Sequence, residues 1–104
     1  MLYLLLIGLG YAVKTAGDAS AALELASQES FDILISDIGL PDETGYELMK
    51  QIRERHSMKG IAVTAYGTEE DFRRSRDAGF SEHLLKPVEL SRLHEVIQRV
   101  LACE

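Results

Sequence analysis

The feature that most constrains this chain is the spacing of its apolar runs. Four short, nearly continuous apolar segments, Tyr11–Thr15, Phe31–Ser36, Gly60–Thr64 and His83–Lys86, are separated by amphipathic, helix-forming stretches. Runs without polar alternation suit strands buried on both faces of a parallel sheet. The stretches between them carry helix-end signals. Asp18 is placed to cap a helix over Ala19–Ser27, whose alanines and leucines favour helix. Thr44-Gly-Tyr-Glu47 has capping-box spacing ahead of Leu48, Met49 and Ile52. Thr68-Glu-Glu-Asp71 opens a helix over Glu69–Ala78 that Gly79 can close. In the last stretch Leu90, Leu93, Val96, Ile97, Val100 and Leu101 share one helical face. Alternating strand and helix predicts an α/β fold, a doubly wound, mostly parallel sheet.

Composition narrows what such a domain can do. A chain of 104 residues suits a single domain over 1–104, and 46% hydrophobic content with two prolines excludes disorder. Eleven basic residues against seventeen acidic ones give a net charge of −6, which argues against direct nucleic-acid binding. The one cysteine, Cys103, cannot form an internal disulfide. The longest apolar run, Met1–Ile7, falls far short of the roughly 20 residues a membrane helix needs. No basic region precedes it, as a signal peptide would require. The expectation is a cytoplasmic domain with no membrane partner.

Function should lie where polar residues end buried strands, since doubly wound sheets bind ligands beyond their carboxyl edges. Phe31–Ser36 runs into Asp37, Gly60–Val63 into Thr64, and His83–Leu85 into Lys86. Singly, these read as a turn residue, a strand former and a solvated lysine. Jointly they bring a carboxylate, a hydroxyl and an ammonium to one rim.

The motifs Ser36-Asp37-Ile38-Gly39-Leu40-Pro41 with Gly45 beyond, Val63-Thr64-Ala65 and Leu85-Lys86-Pro87 resemble the receiver domain of response regulators in two-component (phosphorelay) signalling. The likeness runs from about residue 11 to 102. It implies a flavodoxin-like (CheY-like) fold in which Asp37 is the phosphoacceptor for a histidine kinase or phosphotransfer protein. Thr64 and Lys86 would bind the phosphoryl oxygens. Mg²⁺ would sit beside Asp37, with the Gly39 backbone carbonyl as a ligand, and Lys86–Pro87 would be cis. The chemistry suits these residue types: a carboxylate forms an acyl phosphate, and catalysis is mostly positioning and charge neutralisation. Such a domain is not an enzyme beyond slow self-dephosphorylation. Its signal would pass through the switch residues Thr64 and His83 to an output partner that the residues do not name. His83 stands where the family carries Tyr or Phe. Tyr66, two past Thr64, would crowd attacking water. Phe72 is the one large apolar residue of Glu69–Ala78, so that helix should dock weakly and move easily.

The start of the chain departs from the pattern. A full receiver opens with a buried strand ending in an acidic, Mg²⁺-holding pair, followed by a first helix. Here no acidic residue occurs before Asp18. The chain therefore reads as N-terminally truncated, without the first strand, the acidic pair and most of the first helix, and Mg²⁺ binding should be weak. Family alignment favours Met1–Leu9 as the last turns of that helix. The alternative is that Met1–Ile7 itself fills the vacant slot as a strand hairpinned antiparallel to Tyr11–Thr15 through Gly8-Leu9-Gly10. A parallel strand is excluded, because its crossover needs a dozen or more residues. An incomplete sheet leaves a homodimer through its open slot in play. The competing function is a non-phosphorylated receiver-like interaction module. A dehalogenase-type phosphatase needs a second Asp at position 39, and a dinucleotide fold needs glycine at position 13. Neither is present.

Overall fold

The apolar run near the start of the chain needs cover on both sides, and it finds it as a central strand. In the computed structural model, which describes residues 4–8, 13–40, 42–65 and 67–102, Leu4–Ile7 forms β1 and Val13–Ala16 forms β2. Helix α1 (Ala19–Gln28) leads to β3 (Ile33–Asp37), and α2 (Gly45–Arg55) to β4 (Lys59–Thr64). Helix α3 (Glu69–Ala78), β5 (Glu82–Leu85) and α4 (Leu90–Ala102) complete the order. The five strands make one sheet in the order β2-β1-β3-β4-β5.

Several expectations are corrected here. The slot beside β3 is not vacant: β1 fills it, with Leu4 opposite Ser36 and Ile7 opposite Ile33. The sheet is mixed rather than mostly parallel, because β1 runs antiparallel to both β2 and β3 while β3, β4 and β5 run parallel. The chain is thus not shown to be a truncated receiver, and a homodimer through an incomplete sheet loses its basis. The physical reason is connection length. Only residues 8–12 join β1 to β2, enough for a hairpin and far too few for a parallel crossover. The helix-remnant reading of Met1–Leu9 fails over Leu4–Ile7, which is strand; residues 1–3 and 9–12 lie outside the described residues.

The helix ends follow the sequence signals. Asp18 caps α1 by accepting from the Ala21 N–H at 2.8 Å. Thr44 caps α2 through the Glu47 N–H. Thr68 and Asp71 form a full capping box on α3, which Gly79 ends in the left-handed region at φ 113°. Helices α1, α2 and α3 cover one sheet face, where Leu4, Leu6, Leu34 and Ala62 pack against Ala22, Met49 and Ile52. On the other face α4 covers the middle of the sheet, where its Val96 and Val100 sit on Ile33, Ile35, Ile61 and Leu84, while Leu5 and Ile7 of β1 are only half-buried.

Candidate functional site

The parallel half of the sheet delivers the predicted residues to one rim. Asp37 is the last residue of β3 and pairs with Val63, the neighbour of Thr64. Thr64 ends β4, and its carbonyl accepts the Lys86 N–H at 2.8 Å, which fixes the start of the β5–α4 loop. The Lys86–Pro87 bond is cis. Asp37 is buried, and its Oδ2 forms an ion pair with the Lys86 ammonium. Its Oδ1 accepts the Gly39 N–H at 3.2 Å. The Thr64 side chain is buried beside this pair of strand ends.

The loop after Asp37 is shaped by glycine at both ends. Gly45 lies so close that an added Cβ would stand 2.5 Å from the Asp37 carbonyl oxygen. The Gly45 N–H donates to the Ile38 carbonyl at 2.8 Å, closing the loop onto α2. Gly39 has open space where a side chain would project. Its carbonyl was expected as a metal ligand; its backbone bridges to Thr44 across the loop.

Three contributors were not foreseen. Asp42 reaches from this loop to the start of α1, accepting from the Ala19 N–H at 3.0 Å and from the Ser20 N–H and hydroxyl at 3.1 Å. The Ala19 N–H bond chiefly holds the Asp42 carboxyl below its ordinary value. A signal existed: Asp18 can serve only one of the orphan N–H groups of α1. Leu5 of β1 is the second. With Ile35, Val63, Val88 and Leu93 it lines an apolar cavity of about 130 Å³, with the Asp37–Lys86 pair in its wall. The third is Ser75, buried on α3, whose hydroxyl bonds His83 Nδ1 at 2.6 Å.

His83 is therefore half-buried and partnered, and it also lies against Phe72 with ring centroids 4.3 Å apart. Phe72 docks α3 onto β5 through this contact, while Ser75 and Ala78 are the residues that α3 buries. Asp71 is held below its usual value, first by the Thr68 hydroxyl and then by the Thr68 N–H, with smaller help from His83 and Arg74. Tyr66 and Cys103 lie outside the described residues.

The rim beside Asp37 on its other side is set by β1. Because β1 is reversed, its first residues, rather than its last, lie at the carboxyl end of β3. Leu4 stands opposite Ser36 and Leu5 opposite Ile35. Among the described residues, no group of three or more His, Cys, Asp or Glu side chains is arranged to hold a metal ion.

The profile of the response regulator receiver domain matches residues 1–98. The chain belongs to the response regulator receiver family. It is 36% identical over 89 residues to the response regulator protein PilR of Pseudomonas aeruginosa, covering 85% of this chain and 20% of PilR. A 14.6 kDa protein of Leptolyngbya boryana, encoded 3′ of sodA1, is 36% identical over 93 residues, covering 86% of this chain and 71% of that protein. The sensor histidine kinase RcsC of Salmonella typhi matches at 36% identity, covering 86% of this chain and 10% of that protein. The chain thus spans a fifth or less of PilR and RcsC. Among solved structures, a CheY-like receiver domain protein from Methanospirillum hungatei superposes with TM-score 0.81 at 36% identity, covering 89% of this chain and 75% of that one. Vibrio cholerae CheY4 gives 0.82 at 32% identity, covering 88% and 78%. Among the described residues no helix is long and apolar enough to cross a membrane.

Proposed function

We propose that this chain is a receiver-fold signalling module that works by protein contact, with Asp37 and Lys86 serving as a structural ion pair. The observation that carries this reading is the wall beside Asp37. The family likeness calls for carboxylates there to hold Mg²⁺. Leu4 and Leu5 occupy that side of β3, and the sequence has no acidic residue before Asp18. The donor set that remains is a single carboxylate, bonded through Oδ2 to Lys86 and through Oδ1 to the Gly39 N–H, plus the Gly39 carbonyl. Mg²⁺ is a hard cation that dehydrates reluctantly and prefers carboxylates with phosphate oxygens. These residues fit it poorly, so binding is weak and Asp37 is a poor phosphoryl acceptor.

Within this proposal residues 1–104 act as one cytoplasmic domain. The partner class is that of receivers generally, a histidine kinase or phosphotransfer protein, recognised by surface and not by transfer. Thr64 and His83 keep a structural part: Thr64 in the rim that seats Lys86, His83 in the contact between β5 and α3. The competing reading, Asp37 as phosphoacceptor with Thr64 and Lys86 on the phosphoryl oxygens, draws on the same rim. Treatment with acetyl phosphate and Mg²⁺, followed by intact mass, separates the two. The expected result is unmodified, folded protein. A stoichiometric phosphoryl adduct that disappears in Asp37→Asn would restore the phosphoacceptor.

A further inference from the structure

We draw no further inference here: the strongest candidate, the half-open sheet face that Leu5, Ile7 and Val13 form beside α4, is walled in part by the Asp37–Lys86 pair, and nothing in the structure shows what covers it.

Discussion

The two halves of the sheet are built by different rules. From β3 to β5 the strands run parallel, each returns through a helix, and the three carboxyl ends meet at Asp37, Thr64 and Lys86. β1 and β2 are adjacent in sequence, and both contacts of β1 are antiparallel. The parallel half brings a carboxylate, a hydroxyl and an ammonium to one rim. The antiparallel half fills the same strand position with the opposite chain direction, and so presents the first residues of a strand where the family presents its last. A sheet can therefore conserve strand order and lose the polar end of one strand, because hydrogen bonding and apolar burial constrain direction weakly while a metal site depends on it.

Substitutions in β1 sharpen the contrast most. Leu6→Ala, fully buried under α1 and α2, should cost about 2–5 kcal/mol in denaturant unfolding. Ile7→Ala, next in the chain and on the half-covered face, should cost about 1 kcal/mol, because less apolar surface leaves water there. Equal losses would mean that both faces of β1 are equally covered. In the parallel half, Gly45→Ala should cost about 1–3 kcal/mol, since its Cβ would meet the Asp37 carbonyl oxygen at 2.5 Å and neither backbone segment can yield cheaply. Thr68→Ala removes the capping box of α3 and should lower stability by about 1 kcal/mol.

The smallest effect expected concerns the link between the halves. Asp42 ties the loop after Asp37 to the start of α1, and its carboxyl is held below the ordinary value by the Ala19 N–H. A carboxyl whose pKa is lower in the folded state contributes stability above its unfolded pKa and loses it as pH falls through the folded value. Amide exchange at Ala19 and Ser20 should therefore quicken as pH drops below about 4, after correction for intrinsic rates. Asp42→Asn should show weaker protection at neutral pH and lose this pH dependence. The Ala21 N–H, held by Asp18, is the internal reference.

How much of this was legible in the sequence follows the same division. Strands β3, β4 and β5 announce themselves as apolar runs, and Asp18, Thr44, Thr68 and Gly79 mark helix ends by local chemistry alone. The rim residues follow from strand ends, and Asp37 and Lys86 do meet. The direction of β1 was only half legible. Leu4–Ile7 has no charge, cap or alternation to say which end points to the rim. The short connection excluded a parallel strand but left helix and hairpin open. Asp42 and Ser75 were missed because their partners, α1 and His83, come from other elements, and no local pattern encodes contacts of that kind.

The direction of β1 is best tested by NMR. Antiparallel neighbours bring Hα atoms close in alternate pairs, so Hα–Hα cross-peaks should link β1 to both β2 and β3 within the register from Leu4 opposite Ser36 and Ala16 to Ile7 opposite Ile33 and Val13. Cross-peaks on both sides would place apolar Leu4 opposite Ser36 and Leu5 opposite Ile35, with the start of β1 at the rim that ends in Asp37. Their absence, with the staggered Hα–HN pattern of a parallel strand between β1 and β3, would contradict the account.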